Sequence, residues 1–371
     1  MVNEEEKELQ PVVEEEDDGF TDEIKKEEPA EAAEEESPAN EPAPVDDEPA
    51  TVVEEEEVPV ETVEYSSDYD DERLQKIEDA RKVWNKSYKF MSRIKFIVSS
   101  VILLGILAGW LIPTILMRDS GAVPLYIGLG CAAVGIVGLL IFGHFQKKHD
   151  KAAIAEYFNV YFDAINSYAL ADQGAENIEG NVDSKITKEE FIEGGAFDAL
   201  AAIGSRDNIT FQYKGMDCAM SEAAGQVDAG KALQTVFVGK YLRTHNTCEL
   251  SDEGLIIYFS GNDRALPPAK LESLHLTESS SRYKVYGASK DKKVLTKKVR
   301  EALAKIRTNS LLVDVTIVIK PGRTYWYLGY EDTLMVLPND KSFDPRYVKE
   351  YKTQIGAILE AAYLLNKPAH E

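Results

Sequence analysis

Two uncharged apolar runs, residues 96–117 and 123–145, stand back to back with only residues 118–122 between them. A helix of about 22 residues is roughly 33 Å long, close to the ~30 Å hydrocarbon core of a bilayer. Lipid offers backbone amides and carbonyls no partner, so each run must close its own hydrogen bonds as a helix. The sequence therefore predicts a transmembrane helical hairpin over 96–145, with spans at 96–117 and 123–145 and both long ends on one side of the bilayer.

Flanking charge says which side. Arg81, Lys82, Lys86, Lys89, Arg93 and Lys95 precede the first run, and Lys147, Lys148 and Lys151 follow the second. The loop has only Arg118, beside Asp119. Positive flanks stay inside, so both ends are expected in the cytoplasm of a multi-pass cell-membrane protein. A handful of outer residues excludes a receptor with an outer ligand-binding domain. The only ionisable groups in the runs are Tyr126, Cys131 and His144, the last at the cytoplasmic end, which argues against transport through the hairpin alone. Gly105 and Gly109 form a GxxxG, and Gly128, Ala132, Gly135 and Gly138 line part of the second helix. Such residues let helices approach closely, inside the hairpin or in a homo-oligomer through Gly105 and Gly109, although glycine is common in membrane helices generally.

The net charge of −24 is unevenly spread: residues 1–70 hold 29 Asp and Glu against 3 Lys, and the remainder 36 acids against 38 bases. This acidic tail carries 7 of the 15 prolines and almost no aromatics, so it cannot bury enough apolar area to offset ordering entropy and is expected to be disordered. It lacks a basic start followed by an apolar stretch, so no cleavable signal peptide is expected. Three sparse cysteines, Cys131 in a span and Cys218 and Cys248 on expected strands, suit free thiols in a reducing compartment.

Residues 71–95 predict a basic amphipathic juxtamembrane helix, with Leu74, Ile77, Trp84, Tyr88, Met91 and Ile94 spaced by about three and four. Its cations either attract anionic lipid or form a collar that sets orientation. Residues 146–371 suffice for one well-cored domain. Its first helix carries the stripe Ile154, Tyr157, Phe158, Tyr161, Phe162 and Ile165, followed by a polar stretch over 171–185. Thr187 with Glu190 reads as a capping box. Strands are expected at 208–213, 231–244, 255–260, 311–320 and 324–328, with turns at Lys214-Gly215, 252–254 and Pro321-Gly322. Thr296 caps a helix to about 306, and Asp344-Pro345 opens another to about 366. Strands and helices do not alternate regularly, which favours an α+β cytoplasmic domain, mostly antiparallel sheet with flanking helices.

The hairpin, residues 186–191, the Tyr213-Lys214-Gly215 turn, Phe237-Val238-Gly239-Lys240-Tyr241, residues 282–286, Val294-Leu295-Thr296 and the aromatic run at 324–330 together resemble a bacterial membrane-anchored family, catalogued as domain of unknown function 3137. The resemblance covers roughly 75–366 and leaves out the tail. It implies an integral membrane protein with a cytoplasmic domain and supplies no catalytic residues.

No Walker loop, GxGxxG, GxSxG, HExxH or CxxC pair is present, and no catalytic, cofactor or metal residue is assigned. Glu179, Asn181, Asp183, Ile186 and Glu190 fall at EF-hand ligand spacings, but Ser184 stands where glycine makes the turn, so a capped helix after a polar loop is the expectation. His245 and Cys248 make an HxxC, too few ligands for zinc. His275 belongs to an alternating, strand-like run at 271–277. Tyr325, Trp326, Tyr327 and Tyr330 read as core packing, or else as an aromatic face.

The most suggestive feature is residues 282–307, with ten Lys and Arg against Asp291 and Glu301. Lys290, Lys292, Lys293, Lys297, Lys298 and Arg300 form a solvated face, a surface for anionic lipid or a docking site for an acidic partner; nucleic acid fits poorly beside an acidic tail. A flexible chain of about 70 residues spans on the order of 45 Å, so the tail can reach this segment and screen it. The sequence thus reads as a two-span membrane protein with a cytoplasmic binding or regulatory domain modulated by its tail. The alternative is a membrane-tethered hydrolase, marked by a cleft holding His245 or His275 beside a carboxylate.

Overall fold

A computed structural model describes residues 51–52, 64–116, 122–197, 200–230, 232–260, 274–308, 311–330 and 342–366. The acidic tail outside 51–52 and 64–70, and most of the loop between the spans, lie outside the described residues. Helix α1 (Glu72–Leu116) and helix α2 (Val123–Ile165) form the hairpin, and each runs unbroken from the apolar span into the body. Both are long and apolar enough to cross a membrane. Asp71 starts α1 by accepting the Arg73 amide at 2.8 Å, and Pro124 sits in the first turn of α2, where a missing N–H costs nothing.

Within the hairpin, side-chain-free positions set the spacing. A Cβ on Gly109 would lie 2.5 Å from Cys131 Sγ, and one on Gly135 2.9 Å from Ile102 and Ile106. Gly105 meets nothing within 4 Å. The GxxxG pair is therefore divided: Gly109 packs inside the hairpin and Gly105 faces out.

The body is a ten-stranded sheet in the order β1-β7-β8-β6-β9-β10-β5-β4-β3-β2. The strands are β1 (Thr51–Val52), β2 (Ala175–Gly180), β3 (Ala202–Tyr213), β4 (Met216–Asp228), β5 (Leu233–His245), β6 (Leu255–Ser260), β7 (Leu276–Ser279), β8 (Tyr283–Gly287), β9 (Leu312–Lys320) and β10 (Arg323–Tyr330). All pairings are antiparallel except β1 with β7. Helices α3 (Lys188–Ile192), α4 (Lys297–Leu303) and α5 (Pro345–Asn366) complete an α+β body.

One face of the sheet carries the main core. Trp326, Leu328 and Tyr330 of β10 and Val315, Ile317 and Ile319 of β9 meet Tyr351, Ile355, Ile358, Leu359, Ala362 and Leu365 of α5. Strand period two and helix period 3.6 bring these residues to one layer. The opposite face holds a smaller core, in which Phe191 packs edge-on to Tyr327 at 5.2 Å beside Phe237 and Tyr241. The aromatic run of β10 is thus buried on both faces, and the reading as an exposed aromatic surface is corrected.

Four other expectations change. The body begins before residue 146, because Leu74, Ile77 and Trp84 of α1 are buried in it; the apolar face of the juxtamembrane helix is spent on protein. The tail ends before residue 70: Lys349 Nζ donates to the Ser66 and Asp68 carbonyls at 3.2 and 2.8 Å and pairs with Asp70 at 2.9 Å, and Tyr69 donates to the Phe343 carbonyl. β1 places Thr51 and Val52 on the sheet as well. Cys248 and His275 sit just outside strands, in the loop after β5 and ahead of β7.

Candidate functional site

The capping box forms as expected, with Glu190 accepting from the Thr187 amide and Thr187 from that of Glu190. Glu190 is thereby committed to the helix start, while Glu179 lies in β2 opposite Thr210. The EF-hand spacing does not become a coordination shell, and the described residues hold no cluster of three or more His, Cys, Asp or Glu placed for a metal. Cys248 Sγ donates to the Leu365 carbonyl at 3.0 Å, and burial pushes its thiol up to about 11 and that of Cys218 up to about 12. His245 and His275 are exposed, and neither forms an ion pair among the described residues. On the smaller-core side a recess of about 50 Å³ is lined by Glu190, Asn208, Thr210, Ser221, Tyr241 and Arg243 and includes neither histidine.

The basic segment divides in two. Lys292 Nζ donates to the Thr277 carbonyl of β7 at 3.2 Å, and Arg300 grips Glu278 of β7 through two hydrogen bonds of 3.0 and 2.9 Å. These two cations fasten α4 and the turn before it to β7. Arg282 similarly donates to the Ala304 carbonyl. The remaining four face water. Lys290 and Lys298 are exposed, and Lys293 and Lys297 reach only the exposed Glu249 and Glu301, each at 3.9 Å. Ion pairs that long and solvated hold little energy, so these lysines remain available to another anion.

A second constellation lies in the main core. Arg206 of β3 and Lys240 of β5 stand directly opposite Glu222 of β4 in the two ladders. A β-bulge between Arg206 and Ile209 puts Asp207 in a left-handed conformation (φ 63°), and Lys240 Nζ donates to its Oδ2 at 3.0 Å. Glu222 is 1% exposed, and neither of its carboxylate oxygens accepts a hydrogen bond; Arg206 Nε and Lys240 Nζ lie 3.5 and 3.8 Å away. Burial raises the Asp207 carboxyl above its ordinary range, against the pull of Lys240. The Arg206 guanidinium stacks over Phe158 of α2 at 4.9 Å, so this ionic row touches the helix that carries the second apolar run. Sequence reading missed it. Its signal was Lys240 in the middle of an apolar strand, where a charge persists only if paired.

No family model, curated protein or solved structure matches this chain. The resemblance set out above therefore stands on the quoted motifs alone.

Proposed function

We propose that this chain is a two-span membrane protein whose body lies in the cytoplasm and works as a binding or regulatory module for an acidic partner. One observation carries the reading: Lys290, Lys293, Lys297 and Lys298 are each exposed on the turn and helix that Lys292 and Arg300 fasten to the sheet edge. A surface built by committing two cations to hold four others outward is a ready anion contact.

The stalk favours a soluble partner over lipid. Trp84, the last buried residue of α1, precedes the start of the first apolar run at residue 96 by about twelve positions, and Tyr157 follows the end of the second at residue 145 by the same number. At 1.5 Å per residue the body stands about 18 Å from the hydrocarbon, and headgroups fill only about 5–8 Å of that gap. The recess described above holds neither His245 nor His275, so it lends the hydrolase alternative no support.

The test compares the chain lacking residues 2–62, which keeps every described element except β1, with its variant Lys290→Glu/Lys293→Glu/Lys297→Glu/Lys298→Glu. Polyglutamate and vesicles with 30% anionic lipid serve as probes at low salt. Binding of polyglutamate that the variant loses supports the proposal. Equal binding by both chains, or binding to vesicles alone, refutes it.

A further inference from the structure

Outside the two apolar runs, the large apolar side chains exposed among the described residues are Leu233, Tyr347 and, on the stretch of α1 between the body and residue 96, Val83, Tyr88 and Phe90. The matching stretch of α2, residues 146–156, exposes none. Tyr88 stacks on the buried Trp84 at 5.2 Å and so belongs to the side that meets the body. Val83 and Phe90 do not. They are 69% and 62% exposed, seven residues apart on one face of the helix.

The spacing continues along α1. Val83, Phe90, Ile97, Leu104 and Leu111 recur every seven residues, and Ser87, Ile94, Val101 and Ala108 follow the first four of them by four. This is an uncharged 4-3 repeat of four heptads, with β-branched Ile94 and Val101 at the positions where branching favours two strands. Inside the apolar run every face is apolar, so the period says little there. Between 83 and 95 it is selective, because Asn85, Lys86, Lys89, Ser92, Arg93 and Lys95 all fall off the stripe. A stripe that served lipid alone has no reason to extend about twelve residues past the hydrocarbon. It is also clear of the hairpin: Ile102, Ile106 and Gly109, which meet α2, lie roughly a quarter-turn or more round the helix. Gly105 flanks the stripe without belonging to it.

We propose that this stripe is the contact between two copies of the chain, their α1 helices paired as a parallel two-stranded coiled coil over residues 83–111. The inference rests on the reading of the apolar runs as membrane spans and goes beyond the anion-binding surface. The bilayer argues for a second copy as the occupant. Two chains inserted the same way hold every stripe residue at the same depth, so Val83 meets Val83 and Phe90 meets Phe90 about a two-fold axis along the membrane normal. An unrelated partner would need apolar residues at matching heights both in lipid and in the aqueous gap. The area suffices as well: eight apolar residues with roughly 90 Å² open on each give about 700 Å² per copy, near the ~800 Å² that each partner of a stable complex buries. Two bodies, each with its four exposed lysines, then stand on one paired stalk, and a partner with two acidic segments binds through both.

A cysteine scan over residues 83–95 tests this in native membranes, using the full chain with Cys131 and Cys248 replaced by alanine. Oxidation by copper phenanthroline is expected to give intermolecular disulfide that peaks at positions 83, 87, 90 and 94, at least fivefold above positions 85, 89 and 92. A flat profile, or cross-links to other polypeptides only, overturns the inference. In mild detergent, sedimentation equilibrium is expected to find two copies per particle for the wild-type chain and for Gly105→Leu, and one for Val83→Glu/Phe90→Glu. Both substituted side chains are open, so the near-ultraviolet circular dichroism of that variant should match wild type. A folded Val83→Glu/Phe90→Glu chain that stays paired, or a monomeric wild-type chain, also overturns the inference. Carbonate extraction of the same membranes separates the two readings. Chains that stay with the lipid but give a flat scan leave the spans standing and remove only the pairing, whereas chains released from the lipid remove both.

Discussion

Lys240→Met is the sharpest test of the buried ionic row. The substitution keeps volume and removes the one charge that hydrogen-bonds Asp207 and lies against Glu222, both nearly inaccessible to water. Breaking a buried pair by taking one partner costs about 3–5 kcal/mol, because the carboxylate left behind is uncompensated. For a body of this size about 1 kcal/mol moves the melting temperature by roughly 2–4 °C, so a drop near 10 °C is expected. Two further variants separate electrostatics from packing. Asp207→Asn in the Lys240→Met background should restore about half of the loss, whereas alone it should destabilise. The pH dependence has a definite sign. The folded carboxyl of Asp207 already titrates above its ordinary value of 3.8, and removing Lys240 raises it further. A raised folded pKa means that the protonated form is the better tolerated one, so this group's cost grows as pH rises through the window above 3.8. The deficit of Lys240→Met should therefore shrink as pH falls from 7 to 5. Thermal unfolding in micelles, followed by near-ultraviolet circular dichroism, reads all three. A melting temperature within 2 °C of wild type, or a deficit that grows towards acid, would refute the reasoning.

Three other outcomes are open to measurement. Gly109→Leu should lower the melting temperature in micelles by an amount equivalent to about 1–3 kcal/mol of overpacking against Cys131, while Gly105→Leu, on the open face, should leave it unchanged. Asp314, whose carboxyl fills the space over Gly329, is pushed up to about 6 by burial. Asp314→Asn should gain about 3 kcal/mol at pH 8 but only about 0.5 kcal/mol at pH 4, and lose the pH slope between them, as urea titration of the two chains would show. Cysteine at position 120 should react with an impermeant maleimide in intact cells and cysteine at position 37 should not; the reverse pattern would place the body outside.

What the sequence revealed follows from where a local signal sufficed. The capping box at Thr187 and Glu190, the Thr296 cap and the Asp344-Pro345 start all formed, because each is decided within four residues. Lys214 and Gly215, both at positive φ, make the tight turn between β3 and β4. Strand β4 escaped notice since its sequence, rich in Ala, Gly, Ser and Glu, has little β propensity of its own. It is a strand because β3 and β5 pair with it on both sides. β2 lay hidden in the polar stretch for the opposite reason: at the sheet edge it buries only Ala175 and needs no apolar alternation. The basic segment was half legible. Ten clustered cations were visible, but not which would turn inward to Glu278 and Thr277, since those partners come from a strand that only the fold brings alongside.

The placement of the tail's root settles what its charge can act on. α1 starts at Glu72, some 24 residues before the apolar run, so with that run in a bilayer the tail leaves the body about 36 Å from the hydrocarbon edge. Screening at physiological salt has a length of about 8 Å, so most of that distance lies beyond the reach of the surface potential of the bilayer. The root is fixed there by Tyr69 on Phe343 and by Lys349 on Ser66, Asp68 and Asp70. At its root the chain thus feels little repulsion from anionic headgroups, although the 29 acids of residues 1–70 are the largest charge block in the chain.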